Sequence, residues 1–237
     1  MKILALETSA KSVSAAVTED GAVLAYTYQN TGLTHSRTLM PLVDAMLKNS
    51  GIALQELGLI AVAAGPGSFT GLRIGVSAAK GLAWTLELPC CGVSTPEAMA
   101  QNLRYTDATV VCAMDARREQ IYNAVFFARR GALERRTPDR AIALSQLVTE
   151  LQNDKSEKII VGDGAKLCYT FLSEAGIACR MAPPELVMQN AVGVALTAEQ
   201  MAVRGETVGS RDLKPNYLRL SQAERERLAK GLPLTND

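Results

Sequence analysis

The sequence predicts an α/β protein in which a lobe of order β-β-β-α-β-α-β-α is followed by a second lobe of the same order. Three observations carry this prediction. Each half begins with three short apolar runs, at residues 2–28 and 109–137, which predict a β-meander. Helical and strand patterns then alternate along the rest of each half. An acidic residue ends the first strand of each half, Glu7 and Asp115. A glycine turn follows the fourth strand of each half, in AGPGS and VGDGA.

The first lobe, residues 1–104, begins with the runs KILALE, SVSAAVT and AVLAYTY. Asp20-Gly21 separates the last two, and Asp-Gly between alternating runs is typical of a β-hairpin, so we expect an antiparallel meander. Apolar residues at helical spacing predict a helix over 36–50, which Gly51 ends. The rest of the lobe is predicted as a strand at 59–65, a helix at 71–84, a strand at 90–94 and a helix that Thr95 caps, with Pro96 in its first turn.

The second lobe, residues 105–220, repeats this order with little sequence identity to the first. Its strands are predicted at 109–117, 120–128, 132–137, 158–164 and 177–181, and its helices at 145–153, 165–176 and 190–205. Residues 221–237 form a predicted charged tail. Two such lobes resemble the duplicated ribonuclease-H-like architecture of actin, heat-shock chaperones and sugar kinases, which usually hold ATP between the lobes. A likeness of fold does not by itself confer an activity.

The composition, 48% hydrophobic and 21% charged residues, is that of a soluble globular protein. The net charge of +1 does not indicate nucleic acid as the main partner, although arginines cluster between Arg117 and Arg140. The start of the chain, MKILALETS, matches neither a signal peptide nor a membrane span, so we expect a cytoplasmic protein without membrane contact. Five cysteines without CxxC spacing favour reduced thiols in the core.

The chain contains one histidine, His35. A two-histidine metal centre of the HExxH type is therefore excluded, and a capping or surface role at a helix start is expected for His35. Ser68 in GPGSFTG lacks the flanking glycines of a GxSxG nucleophile turn, because Pro66 and Thr70 stand at those positions. The sequence thus assigns no catalytic residue and no metal ligand.

The most distinctive stretch is VAAGPGSFTGLRIG, residues 62–75. It matches neither a phosphate loop of the GxxxxGK type nor the GxGxxG dinucleotide fingerprint. We interpret it as a strand end, a tight turn with Gly67 at positive φ, and a helix start that Ser68 or Thr70 caps. Free N–H groups at such a helix start attract anions.

Small residues continue into the predicted helix, where Gly71, Gly75 and Ala78 fall on one face. Glycine inside a helix costs about 1 kcal/mol relative to alanine, so we expect a compensating close approach by another helix. The preceding helix presents further apolar residues. Together the two helices predict a docking surface for an equivalent helix pair of another subunit, formed by Leu39, Met40, Leu42, Val43, Met46, Gly71, Gly75, Ala78, Ala79 and Leu82. Packing of the hydrophobic stripe on its own sheet is the alternative.

The first turns of the two lobes, ETSAKS at 7–12 and DARREQ at 115–120, contain no glycine. Side chains at every position hinder the close backbone approach that phosphate-binding turns need, so strong nucleotide binding by this chain is not expected. A vestigial nucleotide or anion site is a hypothesis, with candidate residues Glu7, Thr8, Ser9, Ser68, Thr70, Arg73 and Asp115. Structural capping of the strand ends is the alternative for the two acids.

Several motifs resemble the TsaB (YeaZ) family, and the resemblance runs from Met1 to about Leu220: MKILALETSAKSVSAAV, THSRTLMPLVDAML, GPGSFTGLRIGVSAAKGLAW, GVSTPEAMAQ, MDARREQIYNAVF and PNYLRL. The resemblance implies a non-catalytic paralogue of TsaD. With TsaD and TsaE, such a subunit is required for transfer of threonylcarbamoyl from threonylcarbamoyl-AMP to N6 of adenosine 37, in tRNAs that read codons beginning with adenine.

The same resemblance implies a heterodimer with TsaD, a homodimer of the isolated chain, and tRNA contact only through the complex. ATP and metal are then expected on the partner subunits. In TsaD-like proteins paired metal histidines follow the fifth strand of the first lobe, and Ser94, Thr95 and Glu97 stand there in this chain. An ATP-binding phosphotransferase of the actin-like superfamily is the alternative function, and a metallopeptidase ranks below both.

Overall fold

The structure, a computed structural model, describes residues 1–117, 119–220 and 227. The predicted tail, residues 221–237, therefore lies outside the described residues except for position 227. A five-stranded sheet in the order β3-β2-β1-β4-β5 forms the first half. Its strands are β1 (Lys2–Glu7), β2 (Val13–Glu19), β3 (Ala22–Gln29), β4 (Leu57–Gly65) and β5 (Cys90–Ser94).

Strands β1, β2 and β3 form the predicted antiparallel meander. Asp20 and Gly21 make the turn between β2 and β3 with φ angles of 49° and 78°, the left-handed conformation that a two-residue hairpin turn favours. Strands β4 and β5 extend the sheet in parallel beyond β1. The carboxyl ends of β1 and β4, at Glu7 and Gly65, consequently lie at the same end of the sheet.

The second sheet repeats this topology in the order β11-β10-β6-β7-β8. Its strands are β6 (Ala108–Asp115), β7 (Gln120–Arg129), β8 (Ala132–Arg135), β9 (Arg140–Ala143), β10 (Lys158–Val161) and β11 (Arg180–Met181). Strand β9 is absent from the sequence prediction. It pairs with the start of β7, at residues 120–123, whereas β8 pairs with the end of β7, at residues 126–129. The ten-residue β7 has room for both short strands along one side.

The helices of the described residues are α1 (His35–Ser50), α2 (Phe69–Leu86), α3 (Thr95–Ala100), α4 (Leu144–Leu151), α5 (Ala165–Glu174) and α6 (Ala191–Val203). Helices α1 and α2 pack on one face of the first sheet, and α4 and α5 pack on one face of the second. Ser94, not the predicted Thr95, caps α3, because its Oγ accepts a hydrogen bond from the N–H of Glu97 at 3.2 Å. Nowhere in the described chain is a helix both long and apolar enough to cross a membrane.

Helices α3 and α6 lie between the two sheets, each packed on the sheet of the other half. Helix α6 covers β1, β2, β4 and β5 of the first sheet, while α3 packs on β6 and β7 of the second. The helices cross where Gly193 meets Ala98, since a Cβ at Gly193 would lie closer than 3.0 Å to the Ala98 carbonyl oxygen. The predicted lobes, residues 1–104 and 105–220, each contain one sheet. Helices α3 and α6, however, each pack on the sheet of the other lobe.

After α6 the chain returns across the first sheet as a strap, residues 206–220. Val208 of the strap forms an isolated β-bridge with the start of β5, and Leu213 is buried in the core between the first sheet and α2. The Arg219 guanidinium then donates a hydrogen bond to the carbonyl oxygen of Ala116, just beyond β6. The strap therefore connects the first sheet to the second.

We expect Gly193→Ala to lower the free energy of unfolding by about 2 kcal/mol, because the added methyl group must displace the Ala98 backbone at the helix crossing. Urea unfolding followed by circular dichroism measures this change. Val203→Ala alters an exposed position on the same helix and, as the control, should change the stability by no more than about 0.5 kcal/mol. Equal stability of Gly193→Ala and the wild type would contradict so close a crossing.

Candidate functional site: the cleft between the two sheets

A cleft of about 650 Å³ opens between the two sheets. It is lined by residues at or just after the carboxyl ends of four strands: Ser9 after β1, Gly67 after β4, Asp115 at the end of β6 and Asp163 after β10. The strap forms a further wall through Tyr217 and its neighbours. In open α/β sheets ligands bind at the carboxyl ends of the strands, so this cleft is the candidate functional site.

Glu7 ends β1 and is completely buried. Its Oε1 accepts a hydrogen bond from the backbone N–H of Ser9 at 2.5 Å. Burial raises the pKa of the Glu7 carboxyl to about 7; the Asp163 carboxylate also raises it, while hydrogen bonds from Ser9 and the Thr8 backbone oppose the shift. Among the described residues no atom pairs with Glu7 Oε2. Near neutral pH this carboxyl is therefore divided between its neutral and charged forms.

Ser9 connects the turn after β1 to the start of α2. Its carbonyl oxygen accepts a hydrogen bond from the N–H of Ser68 at 2.7 Å. Its side chain is fully buried and lines the cleft beside Glu7, yet the hydroxyl makes no hydrogen bond of normal geometry within the described residues. The Ser9 side chain is nevertheless close enough to the Glu7 carboxyl to favour its charged form.

In the turn between β4 and α2 the predicted helix cap is present, but the glycine with the positive φ is not the predicted one. Ser68 caps α2, because its Oγ accepts a hydrogen bond from the N–H of Gly71 at 3.3 Å. Gly65, not the predicted Gly67, has a positive φ, of 130°. Gly67 serves a close approach instead, since a Cβ there would lie closer than 3.0 Å to the carbonyl oxygen of Ser9.

The prediction that Gly71 and Gly75 thin a helix face for another subunit is wrong. Both glycines are buried against the first turn of the same chain. A Cβ at Gly71 would overlap the carbonyl oxygen of Thr8, and one at Gly75 would overlap its Oγ1. The Thr8 hydroxyl also donates a hydrogen bond to the Gly71 carbonyl at 2.7 Å. Contact with the turn after β1 thus offsets the helix cost of these glycines.

Most other residues of the predicted docking surface pack on the first sheet, as the alternative interpretation expects. Buried in that core are Leu39, Val43, Met46 and Ala79, and packed against it in half-buried positions are Leu42, Ala78 and Leu82. Met40 remains exposed, at 42% of its surface. On α2 the sequence analysis missed Trp84, which is 58% exposed and lies beneath the Arg211 guanidinium.

The predicted anion-site residues do not all reach the cleft. Lining it are Ser9, Ser68, Thr70 and Asp115, while Glu7 lies behind Ser9. Thr8 and Arg73 make other contacts: the Arg73 guanidinium carbon lies 4.1 Å from the Phe69 ring centroid, and its Nε donates a hydrogen bond to the Tyr217 hydroxyl at 3.2 Å. Phe69 and Tyr217 are stacked, with ring centroids 4.5 Å apart. Arg73 therefore fixes the strap to α2.

The structure adds cleft residues that the sequence analysis missed, namely Lys11, Tyr122, Asp163, Tyr217 and Arg219. Burial raises the pKa of the Asp163 carboxyl, although Gln189 Nε2 donates a hydrogen bond to it at 2.9 Å and the Lys11 charge opposes the shift. Asp163 lies in VGDGA, the turn that corresponds to AGPGS. That correspondence between the halves is the sequence signal that could have identified it.

The single histidine and the five cysteines have structural roles in the fold. Nε2 of His35 lies 2.7 Å from the carbonyl oxygen of Ala10, so the ring contacts the turn after β1 instead of capping α1. All five cysteines are free thiols, and Cys179 alone among them is not buried. No group of three or more His, Cys, Asp or Glu side chains within the described residues is arranged to hold a metal ion.

Much of the arginine cluster is paired with the acids of this chain. Arg135 pairs with Glu97 at 2.6 Å and with Asp139 at 2.7 Å, and Arg140 pairs with Glu150 at 2.5 Å. Arg129 and Arg136 lie within 4.0 Å of Asp107 and Glu134, and Arg118 lies outside the described residues. These ion pairs reduce the positive charge that the cluster offers to nucleic-acid phosphates.

The protein has two sheets of the same topology, with a cleft between them and with α3 and α6 each packed on the sheet of the other half. This architecture defines a duplicated ribonuclease-H-like α/β protein.

Comparisons with known proteins identify the family within this fold class. The family model for TsaD, described as tRNA N6-adenosine threonylcarbamoyltransferase, matches residues 29–226. Two relatives carry the name "tRNA threonylcarbamoyladenosine biosynthesis protein TsaB". The Bacillus subtilis protein is 32% identical over 94% of this chain and 96% of its own, and the Escherichia coli protein is 34% identical over 92% and 95%. The chain belongs to the TsaB (YeaZ) family.

Solved structures of Pseudomonas aeruginosa proteins agree with this assignment. YeaZ from that organism is 25% identical, with a TM-score of 0.78, and the match covers 92% of this chain and 99% of the other. A second structure, described as an uncharacterized protein with similarity to peptidase YEAZ, has a TM-score of 0.80 at 26% identity with the same coverage. The predicted fold class is thereby confirmed.

We expect Gly71→Ala to lower the free energy of unfolding by about 2 kcal/mol, because its methyl group would overlap the Thr8 backbone. Gly81→Ala, in the same helix, is the matched control: nothing lies near a Cβ at that position, so stability should rise by up to about 1 kcal/mol. Urea unfolding of the two variants beside the wild type tests the pair. A stable Gly71→Ala protein would refute the close contact between α2 and the turn.

Glu7→Gln should change how stability depends on pH. Between about pH 4.5 and pH 7 the folded protein holds a proton on Glu7 that the unfolded chain releases, so the free energy of unfolding falls as the pH rises. The shift from 4.5 to about 7 corresponds to about 3 kcal/mol. Glu7→Gln removes this fall, so from about pH 5 to pH 8 the variant gains stability relative to the wild type, by up to that amount.

Urea unfolding across this pH range measures the difference. Val203→Ala, at an exposed position on α6, changes no titratable group and is the control, so its stability curve should run parallel to that of the wild type. Parallel stability curves for Glu7→Gln and the wild type would show that Glu7 is ionised in the folded protein throughout.

Proposed function

We propose that this chain is a non-catalytic scaffold or activator subunit that works with TsaD and TsaE. The complex would transfer threonylcarbamoyl from threonylcarbamoyl-AMP to N6 of adenosine 37 in tRNAs that read codons beginning with adenine. The observation that carries this proposal is membership of the TsaB family over nearly the whole chain, which places the protein in tRNA threonylcarbamoyladenosine biosynthesis. The match to the TsaD family model supports a relationship to the transferase itself.

The residues of the cleft support a non-catalytic role. The turns after β1 and β6 present side chains where phosphate-binding turns present glycine, and Thr8 directs its hydroxyl to the Gly71 carbonyl instead of toward a ligand. The single histidine bonds to the Ala10 backbone. We therefore assign the ATP and the metal ion of the reaction to the partner subunits, and tRNA contact to the assembled complex.

We assign the contact with TsaD, and an overlapping homodimer contact, to the outer surface of α1 and α2. Met40 on α1 and Trp84 on α2 are the large apolar side chains exposed there. Leu42, Ala78 and Leu82 lie half-buried on the same two helices. Tryptophan and its apolar neighbours are the residue types that most often dominate the energy of protein interfaces. The proposed docking surface lies on the same two helices as the predicted one, but it excludes the buried Gly71 and Gly75 and includes Trp84.

Reconstitution tests the function. Purified TsaD with its metal ion, TsaE, ATP, threonylcarbamoyl-AMP and unmodified tRNA should yield modified adenosine only when this chain is added. The same mixture with this chain but without TsaD should yield none. Mass spectrometry of tRNA digests measures the product. Modification at the same rate without this chain would refute a required subunit, and modification by this chain alone would refute a non-catalytic one.

Charge placed on the outer surface should weaken the complex. We expect Trp84→Glu and Met40→Glu each to raise the dissociation constant for TsaD about tenfold or more, because each buries a carboxylate in an apolar interface. Val203→Glu, exposed on α6, is the matched control and should bind as the wild type does. Titration calorimetry gives the constants, and unchanged urea midpoints verify folding. Wild-type affinity of both variants would show that TsaD does not bind at the outer surface of α1 and α2.

A further inference from the structure

We propose that a band of cationic side chains along α2 and the strap binds the phosphate backbone of tRNA within the assembled complex. The band consists of Arg73 and Lys80 on α2 with Arg211 and Lys214 on the strap. This inference rests on the proposed function, in which tRNA contacts the complex and not the isolated chain. The band lies outside the cleft, and it is distinct from the arginine cluster of the second half.

Contacts between α2 and the strap bring these side chains to one surface. The Lys80 ammonium donates hydrogen bonds to two strap carbonyl oxygens, including that of Arg211 at 3.1 Å. Toward the start of α2, Arg73 Nε donates to the Tyr217 hydroxyl, and toward its end the Arg211 guanidinium lies over the Trp84 ring. From position 73 to position 84 an α-helix rises about 16 Å, which is the length of the band.

The charge of this surface differs from that of the chain as a whole. The sequence holds 25 Lys and Arg against 24 Asp and Glu, but no acidic residue lies within α2. Of the two acids of the strap, Glu206 pairs with Arg204, which leaves Asp212. Glu87 follows the end of α2. The four cations of the band therefore exceed the carboxylates along it, on a chain that is nearly neutral.

The cations of the band also lack carboxylate partners. Among the described residues none of the four forms an ion pair, whereas Arg135 and Arg140 of the second half hold acids of this chain. A paired cation must give up its acid to bind a phosphate, but an unpaired one need not. Cations that bind RNA phosphates release the counterions of the RNA, so the affinity falls as the salt concentration rises.

The position of the band favours RNA as its partner. Its Arg211 end adjoins Trp84, on the outer surface to which TsaD is assigned, so RNA held by TsaD can continue onto the band. At the other end the Tyr217 ring is 38% exposed beside Arg73. Aromatic rings beside cations suit single-stranded RNA, because unpaired bases stack on the rings while the cations contact phosphates.

Fluorescence anisotropy of labelled, unmodified tRNA with the complex of this chain, TsaD and TsaE tests the band at several salt concentrations. The test variant combines Arg211→Gln with Lys214→Gln, two exposed positions whose side chains form no hydrogen bond within the described residues. We expect its tRNA dissociation constant to rise about tenfold. The slope of log affinity against log salt should become shallower by about 1.4, since each lost phosphate contact of a single strand accounts for about 0.7.

The matched control combines Lys155→Gln with Lys166→Gln, which removes the same charge at exposed positions of the second half. It should bind tRNA as the wild type does. TsaD and TsaE are kept at saturating concentrations, so that the anisotropy reports the tRNA contact alone. Titration calorimetry measures the affinity of each variant for TsaD, and thermal melts verify folding.

Three results would overturn the proposal. The first is wild-type tRNA affinity and salt dependence of the Arg211→Gln, Lys214→Gln variant, and the second is an equal loss of tRNA affinity in the control. The third is weaker binding of TsaD with unchanged binding of tRNA, which would identify an acidic protein surface as the partner of the band. The scaffold role is judged separately, because reconstitution with the wild-type chain asks whether modification requires this chain at all.

Discussion

Helix α2 reaches the turn after β1 because glycine stands at each position that faces it. Gly67 and Gly71 face the backbone carbonyls of Ser9 and Thr8, and Gly75 faces the Thr8 side chain, so none of the three places a side chain of its own against the turn. This contact holds the helix N-terminus, the Ser9 carbonyl and the buried Glu7 carboxyl within one small volume. A close-packed interior transmits the position of one element to the next, so the shape of the cleft depends on this glycine face.

The order of strands and helices could be predicted because each element carries its own periodicity and its own turn residues. Strand β9 could not, since it depends on an open stretch of β7, which no local pattern encodes. The Ser68 cap followed from a local rule, but the role of Gly71 did not, because small residues four apart suit a partner helix and a backbone turn of the same chain equally well. Lys11, Asp163 and Tyr217 come from separate segments that meet only in the folded chain.

Helix α2 contributes to the cleft at one end and to the outer surface at the other. Its N-terminus lines the cleft, and its outer surface presents Trp84. Phe69 stacks on Tyr217 of the strap, and the strap continues to Arg219 and the second half. Helix α2 is therefore in direct contact with both the strap and the cleft.

The exchange of α3 and α6 has a consequence for the order in which the protein can fold during its synthesis. The first sheet is complete once residue 94 has left the ribosome, but the helix that covers its inner face ends only at residue 203. Until then one apolar face of that sheet lacks its covering helix, which is the condition that attracts chaperones and promotes aggregation. Packing of the first sheet is therefore completed by the last helix of the second half.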